Sequence, residues 1–434
     1  MVGALQGRSW WESHMKLVIF EDDQVDRFLP LAWVRGVFEL RCGAVSLREK
    51  IERAAQTPAA ALLARDYLAP VMRRRAGTAA INDLSGCTGG EVLFVNARVR
   101  GSGWTPPREP GAFWHGDRLA VWRTRDSVAG LRDYPGLAAA AARAARSYYA
   151  GPWFEYLWDV MLASPEEITA DFAAAGRRGI HGKVHGSSAI YGPSDAVYVA
   201  DGAEIHPFVC IDTRHGPVTI EPGCEVHPFT RIEGPCYVGP GSILLGAKIR
   251  EGCSIGPMCR VGGEVEESII HGHSNKYHDG FLGHAYVGEW VNLGALTTNS
   301  DLKNDYSTVS VYLGGRTVDT GSTKVGSFIA DHVKTSIGTL LNTGSIVGTA
   351  AVVVATGEPL PKYIPPFTWL LNGAMSKGFG LGPLLKTART AMSRRKVEMT
   401  PEDEALLRKV FELTEQDRME HVRRDRRKAS ASKN

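Results

Sequence analysis

The stretch that decides the fold is residues 218–261, VTIEPGCEVHPFTRIEGPCYVGPGSILLGAKIREGCSIGPMCRV. Aliphatic residues recur in it every six positions: Ile220, Val226, Ile232, Val238 and Leu244, then, after a slip of one position, Ile249, Ile255 and Val261. A period of six fits neither an α-helix nor an alternating strand. It indicates a short strand followed by a sharp corner, and three such units close a triangular coil. Because one coil cannot bury its apolar face alone, we predict a parallel β-helix of several stacked coils.

The six-residue pattern extends on both sides of this stretch. It begins upstream and returns downstream, more loosely at the end, with Val199, Ile205, Ile211, Phe281, Val287, Leu293, Val325 and Ile337. A β-sandwich would instead show turn signals every 8–12 residues. Breaks in the period predict loops that leave the coils at 212–218, 262–280 and 298–322. Loops on a rigid scaffold are where functional sites are usually built.

Composition excludes several classes of protein. The chain has 434 residues and a formal net charge of +3, which is too small to indicate a nucleic-acid partner. No apolar run approaches the length that crosses a bilayer. Residues 1–14 lack the features of a secretory signal, so we interpret them as an overhang before a first strand, MKLVIF, at 15–20. The seven cysteines form no CxxC pair, which favours reduced thiols and a cytoplasmic location.

The predicted β-helix has a domain before it and a helical segment after it. We expect an α/β domain over 15–160, a linker helix over 161–180, the β-helix over 181–365, and a C-terminal helical extension with a basic tail over 366–434. In the α/β domain the candidate strands are 15–20, 91–99 and 118–124, and an alanine-rich helix is expected over 137–149. A capping box with proline at the first helical position predicts that a helix begins near Ser164. A further helix is expected to start at Thr400.

The segment SNKYHDGFLGHAYVGEWVNLGALT (274–297) carries a resemblance to a known family. It resembles the acetyltransferase site of the bifunctional N-acetylglucosamine-1-phosphate uridyltransferase/glucosamine-1-phosphate N-acetyltransferases (GlmU). The family's catalytic histidine falls on His278 and its substrate asparagine on Asn292. The alanine whose backbone meets the acyl carrier falls on Ala295, with Gly294 beside it. The resemblance to hexapeptide-repeat acyltransferases implies a left-handed β-helix, acetyl-CoA as cosubstrate, and a homotrimer with the acyl-CoA groove between subunits.

The next segment, NSDLKND (299–305), looks like the sugar-phosphate loop of the same family. This likeness implies that Asn299 and Lys303 contact the substrate. Arg260 and Lys276 are further candidates for binding a phosphate group. Because the position of one phosphate-binding lysine of the family is occupied by Glu266 here, the resemblance leaves open which amino sugar accepts the acyl group.

The N-terminal region resembles GlmU-like putative sugar nucleotidyltransferases through FLPLAWVRGVFELRCG (28–43), as does the later KYIPPFTW (362–369). Sugar nucleotidyltransferases hold phosphates on a glycine-rich loop after the first strand. Here the first strand runs into FEDDQVDRF (20–28), which is acidic and has no glycine. The metal-binding aspartate expected after the central strand is Asn96, whose neutral amide is a poor Mg²⁺ ligand. We therefore expect a degenerate domain, which needs Mg²⁺ only if it is active.

The predicted chemistry is acyl transfer from a thioester to a sugar amine. It needs a base, donors for the tetrahedral oxyanion, and a slot for the acyl donor. Imidazole side chains titrate near working pH, so His278 suits the base, and turn N–H groups at Gly294 and Ala295 suit the oxyanion. We predict acylation of an amino-sugar phosphate or nucleotide amino sugar, most simply glucosamine 1-phosphate in UDP-N-acetylglucosamine synthesis. No metal site and no membrane span are expected.

Two other classes of function stay open. A γ-type carbonic anhydrase shares the left-handed β-helix, and His273 and His278 have the five-residue step of two of its zinc ligands. The third ligand would be His206, His215 or His227, none of which lies at that family's spacing. The other class is a non-catalytic β-helix scaffold.

Overall fold

The structure is a computed structural model that describes residues 15–431, so the predicted overhang 1–14 lies outside the described residues. It divides into two compact units. The first comprises most of the chain up to Glu155, and the second comprises 26–34, 40–45 and the chain from Tyr156 onward. The predicted fold class, an α/β domain followed by a β-helix and C-terminal helices, is confirmed.

The first unit is built around a seven-stranded sheet. Its strands, in spatial order, are Ala80–Ile81, Ala59–Leu63, Lys16–Phe20, Val92–Asn96, Arg118–Thr124, Gly111–His115 and Arg146–Tyr148. The first four are parallel, and Arg118–Thr124 runs antiparallel to both of its neighbours. Its α-helices are Leu47–Ala55, Ala69–Arg75 and Tyr134–Ala141. The two central strands are buried almost throughout, as expected of strands covered on both faces.

Two predictions near the boundary of the β-helix are wrong in detail. The alanine-rich helix ends at Ala141, and the strand Arg146–Tyr148 follows where helix was expected. The helix predicted to begin near Ser164 is present as Ser164–Ala175, but its N-cap is Ala163, so Ser164 is the first helical residue and not the cap. The buried hydroxyl of Ser164 instead accepts a hydrogen bond from the Gly43 N–H (3.3 Å).

The second unit is a parallel β-helix with three faces. One face stacks Gly179–Ile180, Val197–Val199, Val218–Ile220, Cys236–Val238, Cys253–Ile255, Ile269–Gly272, Tyr286–Glu289, Ser327–Ile329, Ser345–Val347 and Tyr363–Ile364. The second stacks Lys183–Val184, Glu204–Ile205, Glu225–Val226, Asn275–Lys276, Lys334–Thr335, Val352–Val353 and Trp369–Leu371, with Ala374–Ser376 antiparallel at its end. The third stacks Ala189–Tyr191, Cys210–Asp212, Arg231–Glu233, Phe281–Gly283, Thr298–Asn299 and Leu340–Leu341. Two longer strands, Ile243–Ile249 and Arg260–Glu266, turn from the second face to the third.

The interior of the prism is filled by the predicted six-residue set. Every predicted inward residue from Val199 to Val261 is at most 2% exposed. Successive coils pair these residues directly, as Val199 with Ile220 and Ile220 with Val238. The sequence period therefore corresponds to the stacking of the coils.

Downstream, the predicted register is wrong at two positions. Phe281 is partly exposed and Leu282 takes the inward place, while Ile337 is 73% exposed. The region 262–280 was predicted to be a loop, yet it continues the coils. The reason is coil length: Ile255 pairs with Ile270 after only 15 residues, so the six-residue period is lost although the strands still stack.

The predicted excursion at 298–322 is present, and it contains the antiparallel hairpin Ser310–Leu313 with Arg316–Asp319. After the β-helix come the helices Leu381–Ser393, Pro401–Leu413 and Glu415–Ala431. The helix predicted to start at Thr400 is confirmed, and the structure shows that Thr400 is its N-cap and forms a capping box with Asp403. The basic segment predicted as a tail is helical as far as Ala431. Within the described part of the chain, no helix combines the length and the hydropathy needed to cross a membrane.

A buried ionic cluster in the β-helix makes its stability depend on pH. His284, whose side chain is 3% exposed, contacts Asp301 through Nδ1 (2.8 Å) and Glu267 through Nε2 (3.3 Å). Burial opposes protonation, but the two carboxylates outweigh it and raise the pKa of His284 to about 9. Because the folded protein binds this proton more tightly than the unfolded chain, the stabilisation is complete below about pH 6.5. It is lost as the pH rises through about 9.

We expect the free energy of unfolding to fall by up to about 3 kcal/mol between pH 6.5 and 9 through this group. Chemical denaturation of the wild type and of His284→Gln across that range measures the difference. The variant should lose this part of the pH dependence, whereas His185→Ala, at an exposed histidine that contacts Ser187, should keep it. If the free energy of unfolding fell with pH by the same amount in the wild type and in His284→Gln, the prediction would be contradicted.

Candidate functional site

Four residues on the second face of the β-helix lie in register on successive coils. Arg260 pairs with Asn275, Asn275 with Asn292, and Asn292 with Lys334. Strand spacing separates neighbours by roughly 4.8 Å, and the Asn275 Nδ2 donates a hydrogen bond to the Asn292 Oδ1 (2.8 Å). These four residues are called the polar ladder below.

The polar ladder lines a cavity of about 710 Å³. His278 and Trp290 line the same cavity, and residues from the helix Leu381–Ser393 supply the facing wall. His278 and Asn292, which lie fourteen positions apart in the sequence, are therefore brought to one site.

The two histidines of this cavity are held differently. His278 is exposed, and its imidazole forms no hydrogen bond or ion pair with any residue of the described chain, although its ring lies edge-on to Tyr277 (6.1 Å between centroids). His273 stacks on Trp290 (4.3 Å), and its Nδ1 lies 3.5 Å from a carboxylate oxygen of Glu289. The imidazole of His278 is therefore the one available to exchange a proton with a bound molecule.

Lys276 has an internal position. Its Nζ donates hydrogen bonds to the carbonyl oxygens of Gly262 (2.9 Å) and His278 (2.8 Å), and burial lowers its pKa to about 8. It does not line the cavity, whereas Arg260 does. This geometry favours Lys276 as a support for the backbone at His278 and leaves Arg260 as the phosphate candidate.

Asn299 and Lys303 are also used within the fold. Asn299 is buried and makes two hydrogen bonds with Gly283, accepting from its N–H and donating to its carbonyl oxygen (both 2.8 Å). The Lys303 Nζ donates to the Ser307 hydroxyl (3.0 Å) and to the carbonyl oxygen of Thr308. Neither residue lines the cavity, so their contacts do not favour the substrate role implied by the resemblance.

The backbone N–H groups of Gly294 and Ala295 differ in whether they have a hydrogen-bond partner. The Gly294 N–H donates to the Thr335 hydroxyl (3.0 Å), and a Cβ at Gly294 would lie 2.5 Å from the carbonyl carbon of Ser336. Glycine is therefore needed for the two coils to approach. The Ala295 carbonyl oxygen accepts from Gly338 (2.8 Å), while no hydrogen bond is found for its N–H among the described residues. Of the two amides, that of Ala295 is the one without a hydrogen-bond partner among the described residues, and neither residue lines the cavity.

Sequence reasoning missed Lys334 and the inner face of the helix Leu381–Ser393. The Lys334 Nζ donates to the carbonyl oxygen of Trp290 (2.5 Å), and burial lowers the pKa of this lysine to about 8. Lys386, Thr390 and Arg394 line the cavity at intervals of four residues, which is the spacing of one helix face. That spacing could have identified the face, but no local pattern indicates that it lies against the polar ladder.

In the first unit, the expected metal position is occupied by an internal ion pair. The Asn96 Nδ2 donates to Asp22 Oδ2 (3.1 Å), which also accepts from Arg98 Nη1 (3.0 Å). All three residues are buried. A second acidic residue of the same loop, Glu21, is paired with Arg65 (3.0 Å). These contacts hold the carboxylates of Asp22 and Glu21 within the fold.

A zinc site built on His273 and His278 is not favoured. Among the described residues, neither belongs to a group of three His, Cys, Asp or Glu side chains with ligand atoms within 4.8 Å of one another. Such a group does occur at His206, Glu225 and His227, away from the cavity residues.

Comparisons with known proteins agree with the resemblance. Residues 17–178 match the family model described as sugar nucleotidyl transferase. A bifunctional sugar-1-phosphate nucleotidylyltransferase/acetyltransferase of Sulfurisphaera tokodaii is 34% identical over 115 residues, 26% of each chain. The bifunctional protein GlmU of Rippkaea orientalis is 30% identical over 131 residues, which are 29% of this chain and 27% of the relative.

These similarities are partial. The chain spans about a quarter of the length of these two relatives. In structure, a UDP-N-acetylglucosamine acyltransferase (LpxA) from Bacteroides fragilis covers 52% of this chain and 93% of its own, with 14% identity and a TM-score of 0.29. The sequence matches confirm the predicted resemblance: the chain is similar to the GlmU-like bifunctional sugar nucleotidyltransferase/acetyltransferases, and its residues 17–178 match a sugar nucleotidyl transferase family model.

Proposed function

We propose that the chain is an acyl-CoA-dependent N-acyltransferase whose acceptor is an amino-sugar phosphate or a nucleotide amino sugar. The specific reaction we propose is acetyl transfer to glucosamine 1-phosphate. The observation that carries the proposal is the cavity in which the unpaired imidazole of His278 and the carboxamide of Asn292 lie together. Similarity to proteins named as acetyltransferases supports it.

The proposed mechanism is direct transfer. His278 takes a proton from the acceptor amine as its nitrogen attacks the thioester carbonyl, a role worth roughly 10²–10⁴-fold in rate. Asn292 hydrogen-bonds the acceptor, and the free Ala295 N–H stabilises the oxyanion. When the tetrahedral intermediate collapses, the bond to sulfur breaks and an amide forms. The imidazolium of His278 returns its proton to the sulfur, so that coenzyme A leaves as the thiol and His278 is neutral again.

The cysteines support a mechanism without a covalent protein intermediate. All seven are free, and six of them are buried. Burial raises the pKa of Cys224 and Cys253 to about 12, which keeps these thiols protonated and unreactive. Free thiols also fit the cytoplasmic location that we propose.

The proposal is tested by coenzyme A release. Purified protein is incubated with acetyl-CoA and a panel of glucosamine, glucosamine 1-phosphate, glucosamine 6-phosphate and a nucleotide amino sugar, and the free thiol is measured. We expect acceptor-dependent release with at least one phosphorylated amino sugar. Release with no acceptor of the panel, together with bound zinc in the purified protein, would contradict the proposal.

We further propose that the N-terminal unit has little nucleotidyltransferase activity. The expected result is negligible Mg²⁺-dependent pyrophosphate release from UTP and a sugar 1-phosphate, because Asp22 is engaged by Asn96 and Arg98. A coupled pyrophosphate assay measures it. Turnover near the roughly 10 s⁻¹ of ordinary enzymes would contradict this prediction.

A homotrimer is the assembly that we propose. Phe208 and Phe229 stack on adjacent coils (5.8 Å between ring centroids) and are 60% and 76% exposed, which favours a contact that covers them. We expect light scattering at micromolar concentration to give the mass of three chains. A strictly monomeric mass would contradict the trimer.

A further inference from the structure

The cavity that contains His278 has a strongly one-sided charge. Five cationic side chains line it, and no carboxylate does among the residues that the structure describes. Arg260 and Lys334 belong to the polar ladder, whereas Lys386, Arg394 and Arg395 lie on the facing wall. Because like charges repel, such a cluster costs free energy unless an anion occupies it.

The cations on the two faces of the helix Leu381–Ser393 differ in whether a carboxylate is paired with them. Arg389, which does not line the cavity, pairs with Glu404 (2.7 Å). Lys386 and Arg394 line the cavity and form no ion pair with any described residue. The helix therefore neutralises its outer cation and leaves the inner ones available.

Arg395 and Arg260 also form no ion pair with a carboxylate of the described residues. The Arg395 Nε is buried without a hydrogen-bond partner among the described residues. Burial lowers the pKa of Arg395, and the charges of Arg260 and Arg394 lower it further. The Arg260 Nη1 is anchored on the carbonyl oxygens of Gly241 and Cys259 (both 2.9 Å), which holds this guanidinium in place.

The helix dipole does not explain the whole cluster. It favours cations at the C-terminal end of a helix, as with Arg394 and Arg395, but it has no bearing on Arg260 and Lys334 on the opposite wall. Beyond Lys334 the register continues to Val352 and Trp369, which line a second cavity of about 170 Å³. Arg260, Arg394 and Arg395 lie together at one end of the site, since the charges of Arg260 and Arg394 act on Arg395, whereas Lys334 lies at the other end of the polar ladder and also lines the second cavity.

We propose that the cationic cluster of Arg260, Lys334, Lys386, Arg394 and Arg395 binds phosphate groups of a substrate between the polar ladder and the helix Leu381–Ser393. Guanidinium groups match phosphate oxygens in bidentate hydrogen bonds. The identity of the phosphate rests on the proposed function, since the acyl-CoA donor and a sugar phosphate both carry phosphate esters. Anion binding itself does not depend on turnover.

The test is calorimetric titration at low salt with inorganic pyrophosphate, coenzyme A, 3′-dephospho-coenzyme A and glucosamine 1-phosphate. The double variant Arg394→Gln/Arg395→Gln should raise the Kd for pyrophosphate roughly 10–100-fold, the effect of lost charge-assisted hydrogen bonds. Lys386→Gln, at an exposed side chain that cannot disturb the core, should raise it less. Arg389→Gln, on the outer face of the same helix, should leave it unchanged.

The phosphorylated ligands distinguish the source of the phosphate. If the cavity variants raise the Kd for coenzyme A by a larger factor than the Kd for 3′-dephospho-coenzyme A, the cluster binds the donor. If they raise the Kd for glucosamine 1-phosphate, the cluster binds the acceptor. No binding of any phosphorylated probe, or equal Kd values for wild type and both cavity variants, would overturn the anion site even if acyl transfer occurs. Variant-sensitive pyrophosphate binding without acyl transfer would refute the proposed function and leave the anion site standing.

Discussion

His278→Ala is expected to lower acyl transfer roughly 10²–10⁴-fold, the usual effect of a lost general base. The melting temperature and the assembly should stay unchanged, because the imidazole is exposed and makes no hydrogen bond or ion pair with the described residues. Steady-state kinetics with acetyl-CoA and the best acceptor, together with a thermal melt, measure both quantities.

Two other histidines serve as controls for this variant. His206→Ala changes a histidine outside the cavity that stacks on His227 (4.8 Å), and it should retain wild-type kinetics. His273→Ala should have a smaller effect than His278→Ala, because the ring of His273 is held against Trp290. An equal loss of activity in His273→Ala and His278→Ala, together with loss of bound zinc, would contradict the acyltransferase proposal. It would favour a carbonic-anhydrase-like enzyme.

Asn299→Ala is expected to destabilise the β-helix by about 2–6 kcal/mol. The substitution leaves the N–H and the carbonyl oxygen of Gly283 without their side-chain partner, and each unsatisfied buried polar group costs roughly 1–3 kcal/mol. The KM for the amino sugar should stay near the wild-type value. Urea unfolding at fixed protein concentration and steady-state kinetics measure the two effects.

The matched control for this variant is Asn304→Ala, at an exposed asparagine five residues further along the chain, outside the strand Thr298–Asn299. Its stability and its KM should both equal those of the wild type. If Asn299→Ala instead raised KM with no loss of stability, Asn299 would contact the substrate, as the family resemblance implies.

The β-helix could be predicted because its core repeats in the sequence. From Val199 to Val261 the spacing of inward residues follows the coils, so the period predicts which residues are buried. Where a coil shortens, as between Ile255 and Ile270, the spacing no longer reports the stacking. Phe281 was therefore assigned to the interior although Leu282 takes that place.

Only the site residues that belong to one sequence motif could be predicted. His278 and Asn292 belong to a single segment, and the structure places both in one cavity. A motif does not tell a side chain that faces a ligand from one that supports the backbone, which is why Lys276 and Asn299 could not be assigned from sequence. The helix Leu381–Ser393 lies some ninety residues further along the chain, and only the fold brings it to His278.

The most direct test of the central claim is transfer of a labelled acetyl group. Deuterated acetyl-CoA and glucosamine 1-phosphate are incubated with the wild type and with His278→Ala, and the sugar is analysed by mass spectrometry. The acyltransferase account predicts deuterated N-acetylglucosamine 1-phosphate with the wild type and roughly 10²–10⁴-fold less with the variant. Equal amounts of labelled product from the two proteins, or no labelled amide from the wild type with this acceptor or any other phosphorylated amino sugar, would contradict it.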